Sequence, residues 1–181
     1  SMYQAMAGHY TLLAIPFFVL ASSFMSTGGV AKRIIRFAVA CVGHLQGGLA
    51  IAGVFACMMF AALSGSSPAT VVAIGSIVIA AMRQVGYTKE FAAGVICNAG
   101  TLGILIPPSV PLVVYGILTE QNIAKLFAAA MVPGLIAMFG YLMVVGLVAR
   151  LHPEQAPPSE PLPWRERWRA LRAIWPIVLI F

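Results

Sequence analysis

Leu63-Ser64-Gly65-Ser66-Ser67-Pro68 lies near the midpoint of residues 47–82, a run without a single charged side chain. One straight helix of that length would reach roughly 54 Å, against a hydrocarbon thickness of roughly 30 Å. The run must therefore bend, and it bends where glycine and hydroxyls let exposed backbone hold a ligand. A polar interruption inside a membrane-length apolar run is the usual sign of a transporter or channel site.

Composition supports a bilayer setting. The chain is 61% hydrophobic and 9% charged, where a soluble domain carries about a quarter charged residues. The fold class expected is an all-α integral membrane protein. The net charge of +6 sits in short segments between apolar runs, which reads as membrane orientation and not as nucleic-acid binding. Cys41, Cys57 and Cys97 lie far apart without CxxC spacing and read as packing residues.

Six segments follow from the pattern of apolar runs. Residues 1–45 hold a first span (10–25, with Pro16 inside and Gly28-Gly29 after it) and an interfacial helix. In the latter, Lys32, Arg33 and Arg36 alternate with Ile34, Ile35, Phe37 and Val39. Residues 46–82 read as a re-entrant hairpin with arms 47–63 and 69–82, each roughly 21 to 26 Å long and short of a full crossing. Residues 83–118 read as a polar turn and a broken transmembrane helix, interrupted at Asn98-Ala-Gly-Thr-Leu-Gly103 and again at Pro107-Pro108-Ser109. Residues 119–150 read as a transmembrane helix kinked at Pro133-Gly134, and 151–175 as a cytoplasmic linker and a basic amphipathic helix with Trp164, Trp168 and Trp175. Residues 176–181 read as the start of a further span, so the chain reads as part of a longer molecule. With a hairpin that enters and returns on one side, Lys32, Arg33, Arg36, Arg83, Lys89, Arg150, Arg165, Arg167, Arg169 and Arg172 share one face, leaving Lys125 opposite. Two full crossings would place the charges equally well. Arm length favours re-entry.

The sequence holds no Asp, and Glu90, Glu120, Glu154, Glu160 and Glu166 all lie at span ends or in loops. A proton relay of intramembrane carboxylates has no members here. Oxygen chemistry at the two breaks remains. Ser64, Ser66, Ser67 and Thr70 offer hydroxyls, and Pro68-Ala69 opens a helix whose first amides attract a carboxylate. At the second break Asn98, Thr101 and Ser109 are the polar groups, and the segment before Pro107 and Pro108 leaves carbonyls for a small hard cation such as sodium. The plainer alternative is a pair of proline kinks with serines bonded to their own helices. His9 and His44 read as interfacial, and Ser66 and Ser67 lack the base and flanking glycines of a hydrolase elbow, so no enzyme activity is expected.

At Ala62-Leu-Ser-Gly-Ser-Ser-Pro-Ala-Thr-Val-Val-Ala-Ile-Gly75 and Gly100-Thr-Leu-Gly-Ile-Leu-Ile-Pro-Pro-Ser-Val-Pro-Leu-Val-Val-Tyr-Gly116 the chain resembles the large membrane subunit of tripartite ATP-independent periplasmic (TRAP) transporters. Ile15-Pro-Phe-Phe-Val-Leu-Ala, Gly43-His-Leu-Gln-Gly-Gly-Leu-Ala and Val132-Pro-Gly-Leu extend the likeness over nearly the whole length. The resemblance implies an elevator-type fold in the bacterial inner membrane, with one of two inverted repeats present here. It implies sodium as the coupling ion, no other cofactor, a periplasmic substrate-binding protein, a small membrane subunit and a small carboxylate substrate. A C4-dicarboxylate is favoured, with sialic acid or a 2-oxo acid next. The family's first sodium site maps to Ser64, Ser67, Gly103, Ile106 and Pro108, and the substrate candidates are Ser66, Asn98, Thr101 and Ser109. A divalent-anion symporter that needs no binding protein, and a non-transporting membrane scaffold or enzyme subunit, are the alternatives.

Overall fold

The structure, a computed structural model, describes residues 16, 17, 20, 23, 24, 29–45, 47–154, 156 and 157. The expected span 10–25 is thus described only at Pro16, Phe17, Leu20, Ser23 and Phe24. The amphipathic stretch 164–175 and the start of a span at 176–181 lie outside the described residues.

Seven helices run through the continuous part: α1 Val30–Val42, α2 Gly48–Ser64, α3 Ser67–Gln84, α4 Lys89–Gly100, α5 Leu102–Leu105, α6 Val110–Leu118 and α7 Ile123–Leu151. No strand occurs among the described residues. α3 and α7 are long and apolar enough to cross a membrane. The α4–α6 pair adds a third candidate span, bent by 40° at its break.

α1 keeps Lys32, Arg33 and Arg36 exposed and buries Ile34, Ile35 and Ala38. The apolar face expected to rest in the membrane interface is covered by protein, with the Phe37 ring 6.3 Å from that of Phe55 in α2.

α2 and α3 fold back on each other. A methyl group built on Gly53 would lie 3.1 Å from Val78 Cγ1, and the two residues are equally far from the turn on opposite arms. The break is narrower than its residue types suggest: α2 persists through Ser64, and α3 opens at Ser67 with Pro68 in its first turn. Proline fits there because first-turn amides have no helical acceptor.

Small residues set how closely the helices approach. Gly75 of α3 faces Ile96 of α4, where an added methyl would come within 2.9 Å, and Gly100 packs on Val71. Phe60, Ile74, Val78 and Ile96 are fully buried among these contacts. Without a hydrophobic drive inside lipid, such close backbone packing is what holds helices together.

The ends sort by charge. Gly47, at the start of α2, packs on Ala149 near the end of α7, and Gly86, between α3 and α4, faces Pro157. Arg83, Lys89 and Arg150 therefore share one end of the bundle. Lys125 lies at the other, where Gly116 of α6 meets Ile123 and Leu126 of α7. For these four residues the one-sided charge placement read from the sequence holds in three dimensions.

Candidate functional site

The tip of the α2–α3 hairpin is built by one glycine. Gly65 takes φ 61° and ψ 14°, ends α2, and donates its amide to Ala61 O at 2.8 Å. This left-handed backbone is open to glycine at little cost and ends many helices. Ser66 follows in an extended conformation, which aims the chain back into α3.

Hydroxyls stitch the tip. Thr70 Oγ1 donates to Ser66 O at 2.9 Å, and Ser64 Oγ lies 3.2 Å from Thr70 Oγ1. Ser64 Oγ also donates to Ser66 O at 3.4 Å, so both hydroxyls converge on that carbonyl and either can donate in the contact between them. Ser64 and Thr70 are both buried. Ser67 differs: its Oγ is buried and has no hydrogen-bond partner. A buried hydroxyl left unpaired calls for an explanation, and an ion or water held at the site is one of the few available.

The second break has two parts, as the sequence predicts. Within Asn98-Ala-Gly-Thr-Leu-Gly103 the interruption is slight: α4 ends at Gly100 and α5 opens at Leu102, with Thr101 between them at φ −65° and ψ −19°. The wider discontinuity is at residues 106–109, where the prolines act. Pro107 and Pro108 carry no amide hydrogen, so the carbonyls of Gly103 and Ile104, four residues earlier, lose their helical donors. Ser109 Oγ replaces one of them, donating to Ile104 O at 2.7 Å. The Val110 amide, which would otherwise close on Ile106 O, donates to Gly65 O at 3.2 Å.

That last bond joins the two breaks. The tip and the broken helix touch elsewhere too. A methyl group on Gly103 would sit 2.9 Å from Ser67 N and 3.1 Å from Ser66 C, and one on Gly65 would sit 2.6 Å from Pro108 O. Ser64, Ser66, Ser67, Gly103, Pro108 and Ser109 are thus gathered in one place. Ile106 lies within the same break, with its side chain 3.4 Å from the position a Gly134 methyl would take on α7.

Asn98 and Thr101 turn elsewhere. Both are exposed; Asn98 Nδ2 donates to Gly94 O at 2.9 Å, and Thr101 Oγ1 donates to Asn98 O at 2.7 Å. Thr101 also meets Tyr141 Oη of α7 at 3.1 Å, a partner that sequence spacing gave no way to find. Ser109 is fully buried, and its hydroxyl serves the backbone.

Two helix N-termini, α3 and α6, open at this contact, each after an extended serine that gives no side-chain cap. Uncapped first-turn amides favour anions, while hydroxyls and donor-less carbonyls favour a hard cation. No group of three or more His, Cys, Asp or Glu suited to a transition metal occurs among the described residues. The donor set, with its orphaned Ser67 hydroxyl, fits sodium.

Residues 1–181 match the family described as "Tripartite ATP-independent periplasmic transporter, DctM component". The chain is 60% identical over 181 residues to the C4-dicarboxylate TRAP transporter large permease protein DctM of Vibrio cholerae, covering 99% of this chain and 40% of that one. It is 57% identical to the protein of the same description from Pseudomonas aeruginosa (95% and 40% covered). It is 39% identical to the ectoine TRAP transporter large permease protein TeaC of Halomonas elongata (96% and 41%). The chain spans about two fifths of the length of these curated relatives.

Proposed function

Since the chain belongs to the DctM family of tripartite ATP-independent periplasmic transporters, we propose that it forms part of a sodium-coupled permease importing a small organic acid across the bacterial inner membrane. The acid is a C4-dicarboxylate, the substrate in the names of the relatives at 60% and 57% identity. A periplasmic binding protein delivers it, and a small membrane subunit works beside the permease. Sialic acid, a 2-oxo acid and ectoine-like solutes are the neighbouring possibilities within the family's chemistry.

One observation carries the sodium reading: the buried, unpartnered Ser67 hydroxyl lies at the contact with a broken helix whose Gly103 carbonyl has lost its donor to Pro107. Ser64 and Ser67 from the tip and the backbone of Gly103, Ile106 and Pro108 would hold the ion. Bound there, sodium neutralises carbonyl oxygens that otherwise repel one another, and so favours the tip seated against the break. The carboxylate would meet the uncapped amides of α3, with Ser66 as a polar contact. Ser109 contributes by holding Ile104 O and shaping the start of α6. The hairpin would re-enter the membrane and move as part of an elevator domain; its first arm, α2, has 17 residues and falls short of the roughly 30 Å hydrocarbon layer, whereas α3, with 18, is long enough to cross.

Uptake of labelled succinate by the whole assembly in proteoliposomes tests this. Transport should require an inward sodium gradient and the loaded binding protein. Uptake driven by protons and indifferent to sodium would refute the coupling, and uptake without any soluble partner would point to a stand-alone anion symporter.

A further inference from the structure

Away from the two breaks, the α1–α2 loop and the last turns of α7 line a half-open cavity of about 430 Å³. His44 comes from the loop, Ile51 from α2, and Leu142, Gly146, Leu147 and Arg150 from α7. Its polarity is graded along the helix. Arg150 and His44 stand at the bundle end that also carries Arg83 and Lys89, while Leu142 lies about 12 Å deeper at 1.5 Å per residue. Among the described residues nothing lies within 4 Å of a Cβ added at Gly146, so the wall is open there.

A basic mouth above an apolar slot, at the cation-rich end of membrane helices, is the arrangement that takes an anionic headgroup and its acyl chain. The chain's own basic stretch is a poor occupant, since Arg165, Arg167, Arg169 and Arg172 would meet Arg150 with like charge. We propose that this cavity binds one anionic phospholipid, its phosphate at Arg150 and His44 and its upper acyl chain over Gly146 between Ile51, Leu142 and Leu147. The lipid would fill the space between the α1–α2 loop and α7 beside the close Gly47–Ala149 contact. Occupancy of this site does not depend on which solute is carried or which ion drives it.

The test uses the intact permease, purified after incubation with vesicles of phosphatidylethanolamine and phosphatidylglycerol, with retained lipid counted by native mass spectrometry. Wild type should hold phosphatidylglycerol through detergent exchange. Gly146→Leu fills the slot without a clash and should abolish retention. Gly140→Leu, equally unobstructed and outside the cavity lining, should leave it unchanged. Arg150→Gln, at an exposed helix end, should cut retention about fivefold, the weight of one basic side chain at an anionic surface, with Arg150→Lys restoring most of it. Loss with both Gly146→Leu and Arg150→Gln supports the site. If Gly146→Leu fails to fold, the Arg150 pair decides. A wild type that retains no phosphatidylglycerol, variants that retain it as well as wild type, or displacement by excess inorganic phosphate would each overturn the assignment.

Discussion

The two breaks end in the same way and begin differently. α3 and α6 each follow an extended serine, Ser66 at φ −135° and Ser109 at φ −128°, with a proline in the first turn and no side-chain cap. What precedes them is not alike. Before Ser66 the chain is stopped by left-handed Gly65 and reverses, so that α3 packs back on α2. Before Ser109 it is stopped by two prolines and bends by only 40°. Glycine supplies a conformation that turns the chain; proline removes donors and leaves carbonyls free. A hairpin tip that reverses and a crossing helix that merely opens are complementary, and the Val110 amide bonded to Gly65 O joins them.

Substitutions can break that comparison at either side. Gly65→Ala should have the largest effect. It costs about 1 to 2 kcal/mol for the left-handed backbone alone, and its methyl would press on Pro108 O at 2.6 Å. Lower thermal stability of the intact permease together with loss of sodium-dependent uptake is the expected outcome. Full activity would mean that the tip need not touch the break.

Pro108→Ala ranks next. It returns an amide that competes with Ser109 for Ile104 O and pulls the break toward continuous helix. Apparent sodium affinity should fall about tenfold, roughly 1.4 kcal/mol, as read from the sodium dependence of uptake.

Ser67→Ala should have the smallest effect and is the most discriminating. Removing an unpaired buried hydroxyl leaves folding stability unchanged or slightly raised, while sodium affinity drops about threefold, roughly 0.6 kcal/mol. A parallel loss of stability would show that Ser67 serves the fold, and unchanged sodium dependence in both variants would remove the ion from this contact.

Much of this layout is legible in the residues. Gly65, Pro107 and Pro108 announce where helices must stop, because φ > 0 and missing donors are local properties. At Asn98-to-Gly103 the helix is interrupted at Thr101 alone, because glycine, asparagine and threonine weaken a helix without forbidding it. Thr70 was legible as a hydroxyl near the tip, yet its place as the partner of Ser64 and Ser66 needed the turn's geometry. The Thr101–Tyr141 bond links residues 40 apart and left no trace in the local pattern.

Apolar run lengths, proline and glycine positions and the lack of buried acids determined, from the sequence alone, a membrane-spanning helical chain with two interruptions that offer oxygen ligands. Only the tertiary structure decided that the interruptions meet, with Ser67 against Gly103 and Gly65 against Pro108. It also decided that Thr101 turns aside to Tyr141 and Asn98 to the carbonyl of Gly94. The physical reason is range: backbone sterics and lost donors act within one turn of helix, whereas contact between distant segments depends on how glycine-lined helices pack.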